Sequence, residues 1–191
     1  MTQPPDKQQL EDMLRQAAEG DERAWRTIVD IYGPRVFGLL RAQCSNADLA
    51  EEIAQSTFCT VAAKIGAYSE IGKFEAWLFR IAMNRLRDEM RRRKRQARPV
   101  EDKSLAALAD SSSESPMETL DPAALEQLRK AVTHLSDAEQ RIIHLRWFAQ
   151  LSFKQIADLL EQPLGTVLAR HHRALKRLKE TLSPRDEEST P

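Results

Sequence analysis

Apolar residues recur at three- and four-residue steps in block after block of this chain, a spacing that predicts amphipathic helices. The most informative block runs from Lys73 to Arg98. There Phe74, Trp77, Leu78, Ile81, Ala82, Leu86 and Met90 make one stripe that can dock on a core. On another face Arg80, Asn84, Arg87 and Arg91 follow one another, and the helix then runs into Arg92, Arg93, Lys94 and Arg95.

The remaining helices follow in order. Leu10, Met13, Leu14 and Ala17 mark a first helix ending near Gly20, after a polar leader over residues 1–9. Asp21 is a candidate N-cap for the next, in which Ala24, Trp25, Ile28 and Ile31 are buried before a break at Gly33 and Pro34. Val36, Leu39 and Leu40 continue helically to a polar corner at Ser45 and Asn46. Over 48–64, Leu49, Ile53, Phe58, Val61 and Ala62 can face a core, while Asp48, Glu51, Glu52 and Gln55 line an acidic outer face. Solubility alone would account for such a face; a protein ligand is the sharper reading. Tyr68 to Lys73 breaks the periodicity and reads as a loop, with an aromatic ring and Ser69 beside the cationic helix.

Composition shifts at 99–120, a serine-rich stretch of net charge about −4 that lacks a packing stripe and is expected to be a flexible linker. A second helical module follows over 121–182, with a short tail at 183–191. Asp121 before Pro122 is a cap followed by a first-turn proline, and Leu125, Leu128, Val132 and Leu135 supply its stripe. Ser136 with Glu139 and Ser152 with Gln155 form two capping boxes, the second opening a short helix whose Phe153, Ile156, Ala157 and Leu160 face inward. Glu161 and Gln162 make a corner, and Pro163 starts the last helix. Short helix, tight turn and longer basic helix form a helix-turn-helix. In the last helix Leu164, Val167, His171, Ala174, Leu175 and Leu178 cluster on one side, opposite Thr166, Ala169, Arg173 and Lys176, flanked by Arg170, His172 and Arg177. The expected fold is therefore all-α, two small helical domains over 10–98 and 121–182.

Charge sharpens this picture. Lys and Arg number 29, as do Asp and Glu, so the zero net charge hides a segregation. Residues 1–34 carry about −3, whereas 73–98 carry ten basic residues against three acidic ones, the density that displaces counterions from phosphates. A basic helix end is often only a solvated one; Asn84, a base-reading side chain among arginines, favours DNA. Cys44 and Cys59 lack any CxxC or zinc spacing and are expected to be reduced core thiols. His171 and His172 lie on different faces, which suits core or groove-edge roles rather than one metal. No signal peptide or membrane-length apolar run is visible, so no membrane insertion and a cytoplasmic location are expected, and no motif calls for a cofactor.

Three segments in this order resemble a bacterial sigma factor of the extracytoplasmic-function type (group IV). FEAWLFRIAMNRLRDEMRRRKR is similar to the family's regions 2.3 and 2.4, DLAEEIAQSTF to its region 2.2, and LSFKQIADLLEQPLGTVLARHHRALKRLK to its region 4.2. The resemblance implies a non-enzymatic transcription initiation factor whose partners are core RNA polymerase, through the β′ clamp helices and β flap, promoter DNA, and an anti-sigma factor. It places Asp48, Glu51, Glu52 and Gln55 at the polymerase. It places Tyr68, Ser69, Lys73, Arg80, Asn84, Arg87 and Arg91 at the minus-ten element. It puts Thr166, Ala169, Arg170, His172, Arg173, Lys176 and Arg177 at the minus-thirty-five element. The chain departs from the pattern at Leu168 and Ala169, where a basic residue and a serine are usual, at Ser56, where an acid is common, and at Leu49, which replaces an aspartate. The alternative is a helix-turn-helix regulator with a separate N-terminal effector domain. The basic 73–98 segment argues against it, since a sensory domain needs no second DNA-like surface. An enzyme acting on nucleic acid lacks any Ser-His-Asp set, phosphate loop or metal-spaced cluster to support it.

Overall fold

A computed structural model describes residues 5–44, 46–69, 73–96 and 121–183. The linker expected at 99–120, the tail beyond residue 183 and the middle of the 68–73 loop lie outside them. Every regular element among the described residues is helical. The first module holds α1 (Lys7–Ala18), α2 (Glu22–Cys44), α3 (Ala47–Lys64), a single 3-10 turn (Ile65–Ala67) and α4 (Phe74–Gln96). The second holds α5 (Pro122–Thr133), α6 (Asp137–Trp147), α7 (Phe153–Leu160) and α8 (Leu164–Leu182).

Local capping sets most of these boundaries. Asp6 and Gln9 form a reciprocal capping box, so α1 starts three residues inside the expected leader. Asn46 caps α3, Asp121 caps α5 ahead of Pro122, and the boxes at Ser136 and Ser152 open α6 and α7. The α7–α8 turn is closed by Glu161 in the left-handed region at φ 53°, its N–H donating to the Ala157 carbonyl.

The expected break at Gly33 and Pro34 does not occur. α2 is one 23-residue helix with Pro34 inside it. A mid-helix proline forfeits a backbone hydrogen bond at a cost of about 3 kcal/mol. Burial of Ile28, Tyr32, Val36, Leu39 and Leu40 along one stripe, on both sides of the proline, offsets it.

The second difference is larger. The two modules do not stand apart: one core runs through both, joining Tyr32, Val36, Leu39, Phe74, Leu78 and Phe79 to Ile142, Leu145, Ala149, Leu151, Ile156 and Leu159. The reason lies in α6, where Ile142, Ile143, His144 and Leu145 are buried consecutively. Ile143 faces the second module's own small cluster with Ala131, Leu135, Ala174 and Leu178. Ile142 and Leu145 face the other way, into the shared core. Phe148 closes against α2 at Gly38, where an added Cβ would meet its Cδ1 at 3.3 Å.

Polar bonds fix the docking. The Arg35 guanidinium, in a residue only 9% exposed, donates from Nε (3.1 Å) and Nη2 (2.6 Å) to the Ala149 carbonyl, and from Nη1 to Glu75 Oε1 at 2.7 Å. It also lies over the Tyr32 and Phe79 rings. The other Glu75 oxygen accepts from Gln155 Nε2 at 2.6 Å, so α2, α4 and α7 meet in one network.

Several expected core positions are on the surface instead. Met90 is 45% exposed, while Phe79, absent from the expected stripe, is fully buried in the shared core. Ala62, Leu164 and Leu175 are exposed, since the narrow seams of α3 and α8 close on Val61 and on Val167, Ala174 and Leu178. The cysteines are free; Cys44 packs at the edge of the core, but Cys59 is not a core thiol. Cys44 is half-buried and Cys59 lies on the outer side of α3.

Burial in the shared interface gives a pH dependence. Desolvation lowers the His144 pKa from 6.5 to about 4, so the imidazole is neutral in the folded chain and protonation favours unfolding. The stability this residue confers is complete above pH 6.5 and is lost as pH falls toward 4. Linkage gives a loss of about 2 kcal/mol between pH 7 and pH 5. Urea unfolding at the two pH values should show it, and His144→Leu should remove most of it. An unchanged slope in the variant would contradict this assignment.

Candidate nucleic-acid and polymerase interfaces

α4 is amphipathic in the manner its spacing requires, and its outer side exposes Arg80, Asn84, Arg87 and Arg91. Arg87 Nη1 donates to Asn84 Oδ1 at 3.0 Å, which orients the Asn84 amide on the helix surface. Further along, Arg92 and Arg93 both donate to Glu89, whose pKa falls to about 2 through these two side-chain hydrogen bonds. This single carboxylate offsets one of the two positive charges. Among the described residues no carboxylate pairs with Arg91, Lys94 or Arg95.

At the N-terminal end of α4, Tyr68 lies against Trp77 with ring centroids 4.7 Å apart and meets Phe74 edge-on at 6.0 Å. Tyr68 and Trp77 border a cavity of about 580 Å³ lined also by Lys64, Ser69, Lys73, Arg80 and Asp158 of α7. Two aromatic rings and three cations around an open cavity suit a base and its phosphate. Arg80 is engaged as well, its Nη2 donating to the Asp158 carbonyl at 3.0 Å.

On α3, Asp48, Glu51, Glu52 and Gln55 are all exposed on one outer face, and Gln55 Nε2 donates to Glu51 Oε1 at 3.2 Å. One turn on, Ser56 and Thr60 both accept from Arg85 of α4. Ser56, at a position where an acid was expected, therefore serves the α3–α4 contact.

The recognition-helix candidates divide. Ala169, His172, Arg173 and Lys176 are exposed on the outside of α8. Thr166 and Arg170 are half-buried, and Arg170 Nη1 donates to Gln162 at 2.6 Å, bracing the turn. Arg177 pairs at 2.9 Å with Glu139, whose carboxylate is also held below the usual range by Ser136. His171 packs edge-on to Phe153 at 4.8 Å, and burial lowers its pKa. It is a core-edge residue, as its position suggested, and His172 is separately exposed. Among the described residues no three His, Cys, Asp or Glu side chains come together as metal ligands, and no helix is long and apolar enough to cross a membrane.

Arg35 and Phe148 escaped the sequence reading, and Gln155 was read there only as a helix cap, not as a partner of Glu75. Only Arg35 left a signal there: it falls within the apolar stripe of α2, seven residues after Ile28.

The family model for sigma-70 region 2 matches residues 28–96 and that for sigma-70 region 4 matches residues 131–180. The chain is 30% identical to the ECF RNA polymerase sigma factor RpoE of Cereibacter sphaeroides over 164 residues, covering 85% of this chain and 88% of that protein. It is 28% identical to the ECF RNA polymerase sigma factor SigW of Bacillus subtilis, over 88% of this chain and 94% of that one. Among solved structures, the sigma factor RpoE bound to the anti-sigma factor NepR from Bartonella quintana matches with a TM-score of 0.66 at 26% identity, over 84% of this chain and 97% of that chain. CnrH in complex with the cytosolic domain of CnrY shares the fold at a TM-score of 0.64 and 22% identity, over 89% and 94% of the two chains. The chain belongs to the RNA polymerase sigma factors built from sigma-70 regions 2 and 4, and directs polymerase to specific promoters.

Proposed function

We propose that this is a group IV, extracytoplasmic-function sigma factor that works in the cytoplasm by binding and adds no catalytic group of its own. The α3 face of Asp48, Glu51, Glu52 and Gln55 docks on the clamp helices of the polymerase. Arg80, Asn84, Arg87 and Arg91 hold the minus-ten element, with Arg side chains on phosphate and Asn84 on an unpaired base edge. The exposed side of α8, led by Arg173 with Ala169, His172 and Lys176, enters the major groove at the minus-thirty-five element. Arg170 and Arg177 brace that helix through Gln162 and Glu139 while their charge adds to its field. Because structural neighbours are sigma factors solved with anti-sigma proteins, an anti-sigma factor is the expected regulator here too.

One observation carries this reading. The aromatic cavity of Tyr68 and Trp77 opens beside Arg80, so a stacking surface and the cationic rail form one continuous site on region 2. A cation rail alone would serve any polyanion; a stacking cavity at its head suits a strand whose bases are unpaired.

The polymerase contact is tested by changing Glu51, Glu52 and Gln55 together to lysine. These side chains are exposed, so circular dichroism should be unchanged, whereas affinity for purified core polymerase should fall at least tenfold. Unchanged affinity with the fold intact would place the docking face elsewhere.

A further inference from the structure

The outer side of α8 is not uniformly cationic. Leu168 is 42% exposed and Ala169 is exposed next to it, both in the first two turns, while Arg173 and Lys176 follow further along. At 100° per residue His172 projects between Leu168 and Ala169, and Arg173 lies 40° beyond Ala169, so all four share the surface opposite Val167, Ala174 and Leu178. The N-terminal residues of such a helix are the ones that reach base edges. Neither leucine nor alanine can bond to the N7 or O6 of guanine or to the amino group of adenine. The one apolar group on the major-groove edge of a base pair is the C5-methyl of thymine.

We infer that Leu168 and Ala169 read thymine methyl groups in the minus-thirty-five element, with Arg173 supplying the adjacent polar or phosphate contact. The inference rests on α8 being the helix that enters the groove. Burial of the Leu168 side chain against a methyl removes apolar surface of both from water, which gives that base pair its preference without a hydrogen bond. The neighbouring arginine and lysine bring the duplex to this surface, so its occupant is DNA.

The test uses the full chain assembled with core polymerase. Randomised duplexes are selected for the preferred upstream element, and each thymine in it is replaced by deoxyuridine, which deletes only the methyl. The expected result is a five- to tenfold loss of binding at one or two positions. In Leu168→Ala the thymine duplex should bind as weakly as the parent binds the uridine duplex, with little further loss on uridine. Full tolerance of deoxyuridine, or an equal loss in parent and variant, would overturn the inference while leaving α8 as the reading helix. Failure of any upstream sequence to be enriched would overturn the reading of α8 itself, and this inference with it.

Discussion

A guanidinium buried without acceptors would cost several kilocalories per mole, and Arg35 meets that constraint by drawing on both modules. Its own helix supplies Tyr32, α4 supplies Glu75, and the segment after α6 supplies the Ala149 carbonyl. The Ala149 carbonyl can accept both of these bonds only while the second module is seated. Glu75 in turn needs Gln155, which the Ser152 capping box holds in place at the start of α7. Capping, a buried ion pair and domain docking are therefore one connected arrangement, and the shared apolar core closes around it.

Surface charge is partly spent within the chain. Glu89 offsets one of the charges of Arg92 and Arg93, Glu139 takes Arg177, and the Asp158 carbonyl takes one Arg80 donor. What remains for a polyanion is concentrated in Arg87, Arg91, Lys94 and Arg95 on α4 and in Arg173 and Lys176 on α8. The acidic side of α3 meets the α4 rail only near its end, where Glu52 faces Arg92.

The helices and their ends were legible in the sequence because capping is local: Asp121 before Pro122, and Ser136 and Ser152 with their partners three residues on, announce themselves within four positions. The helix-turn-helix and the rail were legible for the same reason. Docking was not. Ile142 and Ile143 are adjacent apolar residues, and nothing in the sequence says that they serve different cores. Pro34 read as a stop because its local cost is plain, whereas the burial that offsets it comes from other helices. Leu164 and Leu175 fit a core pattern by spacing, yet the seam of α8 is narrower than its apolar stripe.

The central claim is that this chain confers promoter choice on a polymerase that lacks it. Run-off transcription with purified core polymerase on a library of genomic fragments, with and without the chain, measures that directly. The account predicts transcripts with defined 5′ ends that require the chain and share an upstream pair of elements. Transcripts identical in number and start site to those of core polymerase alone would contradict it.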